Sequence, residues 1–346
     1  MEKESRNILV TGATGMLGAR IVFDLLNNGD RVKAIYRTKS RIDQFKKNIS
    51  FYTKELVELA SLVEWVEADV LDYGSICDAV EGVDLVIHSA AMVSFHSDDQ
   101  AAMYDINIQG TANIVNACLL KGVKKICHVS SIAALGKEEE GATIDEESTW
   151  IPEQKHSGYQ ISKFHSEMEI WRGINEGLEA VIVNPSVILG PGEWHAGSPA
   201  FFNNIYKGMK FYPQGGTGFV DVRDVSAAII SLTDKENWKA AIQKRFLLNA
   251  ENLAYQNVFH LIANALMVKA PNIAANKYLL ALAWRAAWIG GKLSGKKPLI
   301  TRGSVGNASK MQRFNGTKIT LEFGFTYRPM EKSIAEIGQM YLNDDK

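Results

Sequence analysis

Cysteine is scarce in this sequence. The three present (Cys77, Cys118 and Cys127) are odd in number and lack Cys-x-x-Cys spacing. That argues against a disulfide framework or a cysteine zinc site and fits a reducing, cytoplasmic setting. An excess of charge is lacking too. Lys plus Arg number 38 and Asp plus Glu 39, a net charge of -1, so nothing marks an electrostatic footprint for nucleic acid or an anionic membrane. No His-Glu-x-x-His motif or carboxylate–histidine cluster points to a metal. Long apolar runs are also missing. The longest, residues 278–291, spans 14 residues around Arg285, short of the roughly 18 to 20 needed to cross a bilayer. It reads as a buried or amphipathic helix, with contact to a membrane surface or an apolar substrate as the alternative. The polar opening, residues 1–7, lacks the apolar core of a signal peptide.

What is present is an alternation. Short β-branched runs at 8–11, 31–36, 63–67, 85–88, 125–129 and 180–183 are separated by apolar residues at helical spacing, such as Ile21, Leu25 and Leu26. Strands alternating with helices predict a doubly wound parallel sheet of the Rossmann type. The pattern degrades after Pro185, where Pro191, Pro199 and Pro213 lie among glycines and aromatics. Helical spacing resumes near 224–232, 256–267, 276–293 and 331–341. The chain of 346 residues therefore divides into a nucleotide-binding body, 1–184, and a mainly substrate-binding region, 185–346. Residues 219–225 and 245–248 are expected to return to the sheet.

The first run leads into Gly12-Ala13-Thr14-Gly15-Met16-Leu17-Gly18 and then a helical pattern. Gly12 allows a tight turn, Gly15 lets the backbone approach a pyrophosphate at the helix N-terminus, and Gly18 lets the helix pack on the sheet. A dinucleotide site is expected here, with Thr14, Met16 and Leu17 completing the turn. No carboxylate ends the second run to accept a ribose hydroxyl. Arg37 stands there instead, with Arg41 beyond it, and a guanidinium suits a 2′-phosphate. NADP(H) is therefore favoured over NAD(H). Asp69, before Val70, is placed to take an adenine amino group or to cap the next helix.

Tyr159 and Lys163 are four residues apart, on one face of a predicted helix. A phenol exchanges protons poorly at neutral pH, and a nearby cation lowers its pKa. Ser131 follows a predicted strand and so lies at the carboxyl end of the sheet, where ligands bind in such folds. Tyr206 and Lys210 repeat the spacing without such a serine. His88 and His128 read as structural, and His156 is weighed as a substrate contact. Gly215-Gly216-Thr217-Gly218 reads as a flexible turn, and Glu138-Glu139-Glu140 as a solvated loop.

At this point the sequence resembles the extended short-chain dehydrogenase/reductases, the group that includes NAD(P)-dependent epimerases and dehydratases. The likeness runs from about Asn7 to the last helix. It rests on Gly12, Gly15 and Gly18; Asp69-Val70; His88-Ser89-Ala90-Ala91; Asn107; Val129-Ser130-Ser131; Tyr159-x-x-x-Lys163; Asn184-Pro185-Ser186; and Val220-Asp221-Val222-Arg223-Asp224-Val225. Within the group it is most similar to the dihydroflavonol reductase and 3β-hydroxysteroid dehydrogenase branches. The resemblance implies Tyr159 as general acid or base and Lys163 as its electrostatic partner and ribose contact. Ser131, rather than Ser130, would hold the substrate oxygen, and Asn107 would order a water or backbone near Lys163. Ala90 and Ala91 would let the cofactor pass close to the fourth strand, and Pro185 and Ser186 would line the nicotinamide site.

Sugar-nucleotide members usually carry Arg and Tyr where this chain has Asn184 and Leu189. No Arg lies between Val187 and Val220, while Trp194, Phe201, Phe202, Tyr206, Phe211, Tyr212 and Phe219 do. The expected activity is hydride transfer between a nicotinamide cofactor and a carbonyl or secondary alcohol of a small or medium hydrophobic substrate. Nucleotide-sugar epimerisation or dehydration is the alternative, and a non-catalytic NADP-sensing role stands third. A homodimer through helices over 101–121 and 157–175 is compatible with the resemblance.

Overall fold

Strands covered on both faces need apolar residues at nearly every position, and the chain supplies them. In β1 (Asn7–Thr11), Ile8, Leu9 and Val10 have no exposed surface. The computed structural model describes residues 5–136, 141–275 and 309–344. The apolar helix expected at 278–291 and the acidic run 138–140 lie outside the described residues.

In chain order follow β2 (Arg31–Tyr36), β3 (Val63–Glu67), β4 (Leu85–His88), β5 (Lys125–Val129), β6 (Thr143–Ile144), β7 (Glu179–Pro185), β8 (Val187–Leu189), β9 (Phe211–Pro213), β10 (Gly216–Asp221), β11 (Lys244–Leu248), β12 (Glu251–Ala254), β13 (Ile273–Ala275) and β14 (Arg313–Phe314). Seven of these form one parallel sheet in the order β11-β7-β5-β4-β1-β2-β3. The order reverses at β1, so a crevice opens past the carboxyl ends of β1 and β4. Helices Met16–Asn27 and Val222–Thr233 cover one face through Ile21, Leu25, Val225 and Ile229. Helices Tyr73–Ala79, Gly110–Lys121 and Gly158–Asn175 cover the other through Ile76, Ile114, Cys118 and Ile170.

All six expected runs are strands. Residues 245–248 do return, within β11 at the sheet edge. Residues 219–225 do not. They end β10, which pairs with β8 and β12 in a separate sheet, and begin the helix Val222–Thr233. The Gly215–Gly218 turn is also corrected, because Gly216, Thr217 and Gly218 are buried within β10. A Cβ on Gly216 would lie 2.5 Å from the Leu253 carbonyl, and one on Gly218 would lie 2.2 Å from Asn249 Oδ1, so close packing rather than flexibility calls for glycine there. A third core joins Trp194, Phe202 and Phe219 to Ile262, Ile337 and Tyr341. Three of the seven aromatics between Val187 and Val220, namely Trp194, Phe202 and Phe219, are therefore buried core. Among the described residues, no helix is long and apolar enough to cross a membrane.

Candidate active site

The glycines of the first turn differ in what surrounds them. Gly12 has φ +68°, and a Cβ there would lie 2.7 Å from the Ala90 amide nitrogen. A Cβ on Gly18 would lie 2.1 Å from the Gly12 carbonyl. Gly15 is extended (φ −80°, ψ 170°), and a Cβ would meet only the Gly12 carbonyl, at 3.4 Å. The fold thus demands glycine at 12 and 18 but not at 15. Gly15 caps the helix Met16–Asn27, whose first turn has no side-chain cap. Open amides at a helix N-terminus favour an anion. The turn is braced from outside: Asn48 Nδ2 donates to the Thr14 carbonyl at 3.0 Å, and a Cβ on Gly192 would touch Met16. Leu17 packs partly against the main core.

Thr11 ties this turn to β4. Its hydroxyl accepts from the Ser89 and Ala90 amides at 3.1 and 3.0 Å, which fixes the backbone before Ala91. The Thr11 proton then goes to His88 Nδ1, and His88 Nε2 donates to Thr111, which in turn bonds the Asn107 carbonyl. Burial, with Lys163 adding to it, pushes His88 down to about 3, so the ring is neutral and structural. His128 pairs beside it in the sheet, equally buried, and burial holds it well below its usual value. His156 stacks on Trp150 at 3.8 Å and donates to the Ile151 carbonyl, a packing arrangement rather than an open contact.

Arg37 and Arg41 are exposed past β2, and among the described residues neither has an ion-pair partner. Asp69 is half-buried and accepts from the Leu71 amide at 3.0 Å. It does not cap the following helix. Asp72 does, accepting from Gly74 and Ser75. Val70 is buried against Gly110, and its carbonyl accepts from Asn113.

The helix Gly158–Asn175 opens with a capping box, Ser157 and Gln160, so its first turn is firmly set beneath Tyr159. Tyr159 is half-buried, with the Phe95 ring edge-on at 5.7 Å. Burial raises the phenol pKa, and hydrogen bonding to Ser131 opposes that rise. Lys163 Nζ donates to the Val129 carbonyl at 2.9 Å, and burial pulls the ammonium down to about 8. Ser130 is buried and committed to Glu167, whereas Ser131 is half-exposed, accepting from the Ala133 amide. Asn107 sits in a π-helical turn, Asp105–Gln109, that breaks the helix expected over 101–121. It clamps both backbone groups of Met92 and donates to Ser162, so it orders backbone beside Lys163 rather than touching the lysine. Pro185 is buried at the end of β7, and the Ser186 hydroxyl is buried with no partner among the described residues. The Tyr206/Lys210 pair is dismantled, because the helix Ala200–Tyr206 stops before Lys210.

Sequence reading missed Glu167 and the committed role of Asn184. Both are buried beneath Ser131, and only the i, i+4 spacing from Lys163 to Glu167 hinted at it.

The model of the NAD dependent epimerase/dehydratase family matches residues 8–242. The chain belongs to that family. It is thus an NAD(P)-dependent enzyme of the reductase and epimerase kind. A Synechocystis sp. protein provisionally named a dihydroflavonol 4-reductase is 26% identical over 96% of this chain and 94% of its own length. Sterol demethylase protein B of Methylococcus capsulatus is 34% identical over 66% of each chain. The structure of Gre2 from Candida albicans in complex with NADPH superposes with a TM-score of 0.73 at 23% identity, over 99% of this chain and 100% of that one.

Proposed function

We propose that this family member is an NADP(H)-dependent oxidoreductase acting on a carbonyl or secondary alcohol of a small or medium hydrophobic substrate. The observation that carries the reading is the convergence of Ser131, Tyr159 and Lys163 at the carboxyl end of β5: Ser131 lies just past the strand, Lys163 bonds the Val129 carbonyl, and Tyr159 stands one turn before Lys163 on the same helix. In reduction, the Tyr159 hydroxyl gives its proton to the carbonyl oxygen, and Ser131 holds that oxygen by a hydrogen bond. Lys163 stabilises the phenolate left behind. In oxidation the same phenol accepts the proton.

The residues fit a dinucleotide. The open approach at Gly15 with uncapped amides at Met16 and Leu17 suits the diphosphate, with Gly12 and Thr14 shaping the turn. Arg37 is assigned to the 2′-phosphate and Asp69 to the adenine amino group, beside Val70. Ala90, Ala91, Pro185 and Ser186 line the path to the nicotinamide, and Tyr159 and Lys163 hold its ribose. When bound, NADPH supplies the hydride. The apolar character of the substrate rests on Phe95 and Val93, which leave 43% and 62% of their surfaces exposed in the loop beside Tyr159.

NADPH oxidation with a panel of hydrophobic aldehydes and ketones tests the reading. Tyr159→Phe is expected to lose about a hundredfold or more. Full activity in that variant sinks the mechanism. Turnover of a nucleotide sugar without net cofactor consumption would favour epimerisation instead.

A further inference from the structure

We propose that Glu167 is a positioning residue for this reaction, a buried carboxylate that fixes the Ser131 backbone beside Tyr159 through Ser130 and Asn184 and acts on the Lys163 charge from one helical turn away. The proposal rests on the carbonyl-reductase reading above. Glu167 lies one helical turn after Lys163, and the two are only 1% and 2% exposed. Their side chains reach consecutive residues at the end of β5. Lys163 donates to the Val129 carbonyl, and Ser130 Oγ donates to Glu167 Oε2 at 2.6 Å. The same oxygen accepts from Asn184 Nδ2 at 2.8 Å, and that amide also donates to the Ser131 carbonyl at 3.1 Å. The other oxygen faces Arg245 and Trp171 Nε1, each at 3.4 Å.

Every group facing the carboxylate donates to it, as an acceptor-only anion requires. Arg245 does not fully claim it, for the guanidinium is shared with the Glu146 and Ser148 carbonyls at 2.6 and 3.1 Å. Holding a helix on a sheet does not need this, because a packed apolar side chain does so at no desolvation cost. Burial disfavours the Lys163 charge, and a carboxylate one helical turn away on the same buried face opposes that loss. The other titratable groups around Lys163 are His88 on β4, His128 on β5 and Tyr159 on its own helix, and the two imidazoles are neutral.

The test reads Lys163 directly. The full chain, without cofactor and with lysines carrying carbon-13 at Cε, is titrated by NMR, and Lys163 is assigned by its absence in Lys163→Met. In wild type the resonance is expected to titrate near about 8. Glu167→Gln is expected to lower that midpoint by about one unit or more. Arg245→Gln, which frees the carboxylate from its competing cation, is expected to raise it. The alkaline limb of kcat/KM for carbonyl reduction is expected to move with Lys163 in each variant. An unmoved midpoint in Glu167→Gln, or displacement of both variants in the same direction, overturns the proposal, since a purely structural role gives no opposed pair. If Glu167→Gln does not fold, Glu167→Asp, which withdraws the same charge by one methylene, is read instead, and an unmoved midpoint in that variant overturns the proposal. Opposed displacements in a wild-type protein that reduces no carbonyl would overturn the reaction and leave the Lys163–Glu167 coupling standing.

Discussion

Gly15 and Gly18 are identical in the sequence and opposite in their surroundings. Gly18→Ala forces a methyl group to 2.1 Å from the Gly12 carbonyl, a contact that moves backbone on both sides. Overpacking of this kind costs about 1–3 kcal/mol or more, and thermal unfolding should register it. Gly15→Ala meets only a 3.4 Å contact and is expected to keep most of the stability. Its loss should appear in NADPH affinity, measured by fluorescence titration, because the added methyl group would stand in the proposed path of the diphosphate. Unchanged affinity would remove Gly15 from the cofactor site. Arg37 belongs to the same scale. It is exposed, with no ion-pair partner among the described residues, so Arg37→Asp should leave the fold intact and shift preference from NADPH toward NADH. Equal kcat/KM for the two cofactors in wild type refutes the assignment. The three glycines, Arg37, Tyr159 and Lys163 were all visible as residues. What their neighbours permit was not, because a steric demand belongs to the packed pair rather than to either residue.

Among the elements, the helices Val222–Thr233 and Met330–Asn343 are joined by a charge network that the motif Asp221-Val222-Arg223-Asp224 only hinted at. Asp221 is fully buried and caps the first of these helices through the Arg223 amide. The Arg223 guanidinium bonds Asp221 at 2.6 Å and reaches Glu336 on the second helix. Burial alone would raise the Asp221 carboxyl, but the bonds from Arg223 outweigh it and hold it below 3.8. Its stabilisation is therefore complete above 3.8 and is lost as pH falls through the depressed value. Arg223→Ala strands a buried charge and is expected to cost about 3–5 kcal/mol at neutral pH. The gap between wild type and variant should narrow below pH 3.8 in thermal unfolding, and a constant gap would mean that Arg223 acts through packing. The π-helical turn at Asp105–Gln109 was invisible at this scale. Its residues have ordinary helical character, and the break follows from Asn107 being drawn onto Met92 and Ser162.

For the whole molecule, the cofactor reading predicts a ligand-dependent stability. A ligand that binds only the folded state adds about 2.7 kcal/mol at a concentration a hundred times its Kd. NADPH is expected to raise Tm in that manner, with NADH giving a smaller rise at equal concentration. A larger rise with NADH would reverse the cofactor assignment. The aromatic residues after Pro185 illustrate a limit at this scale. Trp194, Phe202 and Phe219 pack with Tyr341 into the third core, so composition alone could not separate substrate wall from interior.

Local pattern was enough for the body of the fold and the outline of the site. A strand buried on both faces must be apolar along its length, a turn with positive φ favours glycine, and a helix brings residues four apart to one face. Each of these is a short-range requirement written in consecutive residues. The return of Lys244–Leu248 to pair with β7 is of another kind, since register and neighbour are chosen by the folded sheet. That pairing brings Arg245 to Glu167, 78 residues earlier, and Glu167 to Ser130 and Asn184. A buried charge is tolerable only where its partners converge, and only the closed sheet determines where that happens.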